Sequence, residues 1–331
     1  MRPVIRTIIA SLAIGLSLSL VSPQAIAKDA HGLDEFKLPV EKLTKSDSRF
    51  VTKFGNNINV YSFGSADSAN PRFLVQGGLH GNELLGSEFV VWLAKRFAAG
   101  ESLLNTLNRG KVSFDFVPYA NPDGTIQFTR YNGNKINLNR NFGTLWGVTR
   151  ENPGATPFSE VETKAIQRLL QSRDYTGTID VHGYTNWVVI PTSPRDEAHG
   201  SKLTATSRFK LYDQWAAFIQ KETASRLPGY EVKTAGGLGD GGAFEDYAFW
   251  GAGTPSACLE LFSSDRFIPA SIAAKIVDLL TPKVFSAARS MTQNSDMFPI
   301  YENYVHSLLK EALRLKSGKN DEGQIVSASS P

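Results

Sequence analysis

Residues 73–79, Phe-Leu-Val-Gln-Gly-Gly-Leu, form a short apolar run that breaks on two glycines and leads straight into a helical pattern over residues 82–97. Such a run predicts a buried strand, and the glycines let the chain turn sharply at its end. A buried strand that passes directly into a helix is the building unit of an open α/β sheet. Sheets of that kind collect their chemistry beyond the carboxyl ends of the strands. The junction here reads His80-Gly81-Asn82-Glu83. An imidazole and a carboxylate three residues apart at a helix start can address one ion. Zinc accepts nitrogen and oxygen ligands, and a catalytic zinc site uses three of them plus water. The pair alone is no more than a surface His before a helix-start Glu, so a third ligand has to come from elsewhere.

The alternation of strand and helix continues along the chain. Residues 50–54 and 58–63, around Gly55-Asn56-Asn57, predict a β-hairpin. Strands are expected at 111–118, 178–181, 187–190 and 257–262. Helices are expected at 159–171, 208–227, 271–280 and 301–315. The first of these opens on Ser159-Glu160-Val161-Glu162, which reads as a capping box. Residues 121–157 are long, polar and without period, which marks a functional loop region. No internal repeat is visible. The fold expected is a single α/β domain, an open sheet with helices on both faces.

The first residues read as a processing signal. Arg2 and Arg6 precede an uncharged apolar stretch, and Ala25-Ile26-Ala27 fits a cleavage site before Lys28. At about 15 residues the stretch is short for a membrane span. The expected organisation is a signal peptide at 1–27, a polar lead-in at 28–48, a catalytic domain at 49–316 and a flexible tail at 317–331. The chain is expected in the periplasm or secreted, with no membrane span after signal removal. Its 35 basic and 32 acidic residues nearly balance, which excludes an electrostatic argument for a nucleic-acid partner. Cys258 is the only cysteine, so no internal disulfide is expected.

Of five histidines, His31, His199 and His306 lie in the lead-in, a polar loop and the last helix. They read as solvated or packing residues. His182 follows the short strand at 178–181, so two strand-end histidines and Glu83 form a candidate ligand set for one zinc ion. Glu260 stands in an otherwise apolar strand, where a carboxylate is costly unless paired or used. Its bland alternative is an edge-strand acid facing water. Hydrolysis of a peptide also needs a base, an oxyanion donor and a holder for the substrate. Arg130 and Asn139-Arg140, in the long polar segment, supply guanidinium forks suited to carboxylates.

The order of His80-x-x-Glu83, Asn121-Pro122-Asp123-Gly124, Arg130, Asn139-Arg140-Asn141-Phe142, Pro157-Phe158-Ser159-Glu160, His182 and Glu260 resembles the zinc metallocarboxypeptidases of the carboxypeptidase A type. The resemblance spans roughly residues 50 to 285. It implies a mixed, mostly parallel eight-stranded sheet and one zinc per chain, held by His80, Glu83 and His182. It also implies Glu260 as the base that takes a proton from the zinc-bound water, and Arg130 as the oxyanion donor. Asn139 and Arg140 would then grip the terminal carboxylate of a peptide or muropeptide, making an exopeptidase. Glu245 falls at the family's side-chain pocket, where an acid favours a basic terminal residue or the free amine of a diamino acid in a peptidoglycan stem. Asn137 departs from the family, which has Asp at that position behind the first zinc histidine. Asp180, on the strand face of His182, is a candidate for orienting a ligand. No Tyr matches the family's substrate-capping residue clearly; Tyr230 and Tyr247 are the candidates.

Three other readings compete. Gly237-Leu238-Gly239-Asp240-Gly241-Gly242 matches a dinucleotide fingerprint, but residues 231–234 before it make a poor buried strand. Cys258 suggests a thiol hydrolase, although a Cys within an apolar strand usually packs. His-Gly-Asn-Glu is also typical of zinc amidases and N-acyl-amino-acid deacylases that resemble aspartoacylase.

Overall fold

The computed structural model describes residues 40–42, 52–64, 70–149, 151–183, 185–261 and 297–317. The signal expected at 1–27, His31, the helix expected at 271–280 and the tail beyond 317 lie outside the described residues. The sheet contains β1 (Val40–Lys42), β2 (Asn59–Gly64), β3 (Arg72–Gly77), β4 (Ser113–Val117), β5 (Tyr175–Gly183), β6 (Trp187–Ile190), β7 (Glu231–Thr234) and β8 (Ser256–Leu261). Their order is β1-β2-β4-β3-β5-β8-β6-β7, with β1, only three residues long, at one edge. The pairs β3/β4, β3/β5, β5/β8 and β6/β7 are parallel; β1/β2, β2/β4 and β6/β8 are antiparallel. The main helices are α1 (Leu84–Ala98), α2 (Pro122–Gln127), α3 (Val161–Ser172), α4 (Phe209–Arg226) and α5 (Phe298–Ser317).

Side-chain alternation explains how the sheet is covered on both faces. Phe73 and Val75 of β3, Phe114 and Phe116 of β4, Ile179 and Val181 of β5, and Leu259 and Leu261 of β8 share one core with α1, α4 and α5. Leu74 and Val117 point the other way and pack with Ala165, Ile166 and Leu169 of α3. The polar residues of the central strands follow the second parity. Asp180 lies in register with Cys258, and His182 with Glu260. A period of two thus puts Asp180, His182 and Glu260 on one face. β8 lies between β5 and β6, so Glu260 is on a central strand and not on an edge.

Two expectations are corrected. Residues 52–54 do not form a hairpin arm; β2 pairs instead with β1, inside the stretch expected to be a loose lead-in. The reason is Asp123, whose buried carboxylate accepts hydrogen bonds from Thr52 Oγ1 (2.8 Å), Phe54 N (3.1 Å) and Asn56 Nδ2 (2.7 Å). These groups are satisfied by a side chain and not by a strand ladder. Secondly, Ser159 does not cap α3. The helix starts at Val161 with Glu160 before it, and the donors there turn to Asn141, whose Oδ1 accepts from Glu160 N (3.2 Å) and Thr163 Oγ1 (2.5 Å). Residues 231–234, expected to make a poor buried strand, form an outer and partly exposed one. The glycines beyond it run through and past a four-residue helix, Ala235–Leu238, and do not open a long one. That is not the geometry of a dinucleotide site.

Among the described residues, no helix is long and apolar enough to cross a membrane. Glu162, on the buried side of α3, has its pKa pushed up to about 7 by burial. The folded chain therefore keeps a proton that the unfolded chain releases, and stability falls as pH rises from about 4.5 to about 7. Glu162→Gln removes that fall, about 3 kcal/mol at full effect. Urea midpoints of both proteins at pH 4.5 and pH 8 measure it; parallel slopes would refute it.

Candidate metal centre

β3 ends at Gly77, and Gly78 adopts a φ of +74°, a conformation that favours glycine. That turn brings His80 and Glu83 beyond the strand end, with Glu83 N donating to His80 O at 3.1 Å. Glu83 stands directly before α1. A second glycine sets the distance to β5. A Cβ on Gly86 would lie 2.4 Å from Val181 O and 3.3 Å from His182 Cα, so α1 rests backbone to backbone on the strand that carries His182.

The three expected ligands converge. His80 Nδ1 lies 2.9 Å from Glu83 Oε1, His182 Nδ1 lies 2.8 Å from Glu83 Oε2, and the two Nδ1 atoms are 3.0 Å apart. All three residues are buried. The outer ring nitrogens are engaged: His80 Nε2 with Asn137 Oδ1 at 3.1 Å, and His182 Nε2 with Asp180 Oδ2 at 2.8 Å. Each imidazole that donates from Nε2 turns a lone pair inward at Nδ1. Two inward lone pairs facing one carboxylate call for a shared cation. Zinc bonds of about 2.0–2.1 Å set ligand atoms roughly 3.3 Å apart in a tetrahedron, close to the observed spacings. The donor set therefore fits zinc.

The electrostatics agree. Burial works against charge on His182, but Asp180 and Glu83 outweigh it and hold its pKa well above 6.5. The negative charge that draws a proton to this ring also favours a metal ion. Burial and the nearby Arg130 charge push His80 down to about 3, so it stays neutral and able to bind a metal. Glu260 is pushed up to about 8, first by burial and then by the Glu83 charge; His182 and Arg130 act the other way. A cation among the ligands would lower it.

The remaining expected residues surround this cluster. Arg130 Nη1 lies 3.0 Å from both Glu83 Oε1 and His80 Nδ1. Arg140 Nη1 donates to Asn139 O at 2.7 Å, and its Nη2 faces Glu151 and Asp240. Asn139 Oδ1 accepts from Phe244 N at 2.7 Å, which fixes the one-turn helix Phe244–Asp246. Glu245 in that turn is 2% exposed, and its Oε2 has no hydrogen-bond partner among the described residues. Burial, then the neighbouring Asp246, pushes its pKa well up. Asp246 itself is taken by Thr192 N and Oγ1, at 2.6 and 2.8 Å.

Other candidates fall away from the site. Tyr247 packs against Phe158 with centroids 4.8 Å apart, and Tyr230 OH meets Tyr301 OH at 2.8 Å. His199 Nδ1 lies 3.0 Å from Asp196, and His306 Nε2 lies 3.2 Å from Thr106 Oγ1. The Cys258 thiol is buried and its pKa is raised, which argues against a thiolate nucleophile. Glu151 and Asp240 are acids of the site that the sequence reading did not single out for this role. Glu151 carries no periodic or motif signal, and Asp240 stood only within the glycine-rich decoy.

An open mixed sheet with a His-Glu-His set at the ends of adjacent central strands has the architecture of a metallohydrolase. The zinc carboxypeptidase family model matches residues 41–275, well over half of the chain. The chain belongs to the zinc carboxypeptidase family. It is 24% identical to Homo sapiens carboxypeptidase D over 205 residues, covering 58% of this chain and 14% of that protein. It is also 24% identical to Mus musculus carboxypeptidase A1 over 214 residues, covering 53% of this chain and 51% of that one. The match thus spans about half, or far less, of these relatives' own length. The crystal structure of carboxypeptidase A from Helicoverpa armigera superposes with a TM-score of 0.61 at 19% identity, covering 92% of this chain and 79% of that one.

Proposed function

We propose that this chain is a zinc-dependent exopeptidase that hydrolyses the C-terminal peptide bond of its substrates. The observation that carries this reading is the meeting of His80 Nδ1, His182 Nδ1 and the Glu83 carboxylate, with Glu260 in register on the next strand. These three side chains would hold a zinc ion, which would supply Lewis-acid polarisation of a carbonyl and acidify water. Glu260 takes the proton from the attacking water and passes it to the leaving amine. Arg130, beside Glu83, offers its guanidinium to the developing oxyanion. Arg140 and the amide nitrogen of Asn139 bind the substrate's terminal carboxylate. To do so, Arg140 exchanges an internal partner, Asp240 or Glu151, for the substrate.

The expected leader at residues 1–27 is the ground for testing muropeptides beside ordinary peptides. Zinc analysis with and without chelator, paired with mass spectrometry of both substrate pools, tests the reading. Loss of one C-terminal residue that stops on chelation supports it. Internal cleavage refutes it, and release of an acyl group alone turns the assignment to an amidase or deacylase on the same scaffold.

Glu245 is read as the acid of the side-chain pocket. A buried carboxylate with an unengaged oxygen is answered by an ammonium group of the substrate. Glu245→Gln is expected to lower the kcat/KM ratio of Lys-terminated to Leu-terminated peptides by about 10-fold or more. An unchanged ratio removes Glu245 from specificity.

A further inference from the structure

The inner face of the long polar loop carries an acid to which the mechanism above gives no role beyond pairing with Arg140. Glu151 meets three side chains around the site, through four nitrogen atoms. Its Oε2 accepts from Arg130 Nε at 3.2 Å, and its Oε1 from Arg130 Nη2 at 3.3 Å. Arg140 Nη2 lies 3.4 Å from the same Oε1. Asn137 Nδ2 donates a short hydrogen bond to Oε2. Burial opposes ionisation of Glu151, but these hydrogen bonds and the two arginine charges outweigh it and hold its pKa at about 2. It is an anion at any working pH.

Asn137 is the link. Its Oδ1 receives His80 Nε2 at 3.1 Å and Asn139 N at 3.0 Å, so its amide nitrogen is turned toward Glu151. The two donor contacts at Oδ1 fix the amide orientation. A chain of hydrogen bonds then runs from the His80 imidazole through a neutral amide to a carboxylate. Metal-binding imidazoles are commonly backed by a carboxylate, which fixes the tautomer and makes the ring a better ligand. His182 has that partner directly in Asp180. His80 has it one residue removed. The same carboxylate also anchors Arg130, whose Nη1 touches His80 Nδ1 and Glu83 Oε1.

Resting on the metal reading above, we propose that Glu151 is a positioning residue for the metal centre, polarising His80 through Asn137 and fixing Arg130 against the ligands. Hydrogen bonds in series polarise one another in a poorly solvated site, so the charge is felt across the amide. Glu151 is the charge behind His80, moved one link outward.

The test is zinc affinity of the purified full chain, read by competition with a fluorescent chelator. Glu151→Gln is expected to weaken zinc binding about 10-fold or more, with the metal-free protein still melting cooperatively. The double variant Asn137→Asp, Glu151→Gln places one carboxylate directly behind His80 and should recover the affinity. Three results overturn the proposal. One is unchanged affinity in Glu151→Gln. Another is no recovery in the double variant. The third is a lowered KM at unchanged zinc affinity, which would make Glu151 a mere competitor for Arg140. A wild-type chain that binds no zinc sinks the metal reading itself, a distinct failure.

Discussion

Glu260→Gln should leave zinc bound at one ion per chain and reduce kcat by about 10³-fold. The two results belong together. Glu260 lies on β8, in register with His182 on β5, and is not among the three converging ligands. Removing its charge takes away the proposed proton acceptor and leaves the candidate ligand set in place. It also relieves a buried acid held near pH 8 by burial and by Glu83, so the variant should be no less stable than the parent. Metal analysis, steady-state kinetics on a C-terminal peptide substrate and a thermal melt together measure this. Retained turnover would remove Glu260 as the base. Lost zinc would make it a ligand.

His182→Ala should abolish stoichiometric zinc binding and, with it, all chelator-sensitive activity. Two ligands cannot replace three, and the variant leaves Glu83 and Asp180 facing an empty imidazole position. Asp180→Asn separates binding from orientation. It keeps an acceptor near His182 Nε2 and removes the charge, so zinc affinity should fall by about 10–100-fold and not vanish. Titration of both metal-free proteins with zinc, beside the parent, reads the difference. Equal affinities in all three would dissolve the site.

Much of this arrangement was legible in the chain. Strands buried on both faces leave continuous apolar runs, so β3, β5 and β8 could be read, and residues just past such runs stand where a sheet of this kind does its chemistry. That put His80, Glu83 and His182 in one neighbourhood, whereas Glu260, inside an apolar strand, joined them only through the resemblance to the zinc carboxypeptidases. Elements held by backbone pairing or by single polar contacts were not legible. β1 is three residues in a polar stretch, and β7 is an outer strand whose side chains are mostly half-exposed. Neither needs an apolar signature to hydrogen-bond. Residues 52–54 failed as a strand because Asp123, distant in sequence, took their donors. Glu151 failed for a related reason: an acid that joins two arginines and an amide across a loop follows no period.

Asp115, fully buried on β4, accepts from Ser62 Oγ (2.6 Å), Arg72 Nη1 (3.0 Å) and Tyr175 OH (2.6 Å), and pairs with Arg173 (2.8 Å). Arg72 and Tyr175 open β3 and β5, whose far ends lead to His80 and carry His182. The rear of the scaffold is tied together by one acid, at the opposite ends of the strands that lead to the candidate ligands. Recognition at the front could therefore be redesigned through exposed side chains, provided that Asp115 behind, and Asp123 and the core rings Phe142, Phe244 and Phe249 in front, are left in place.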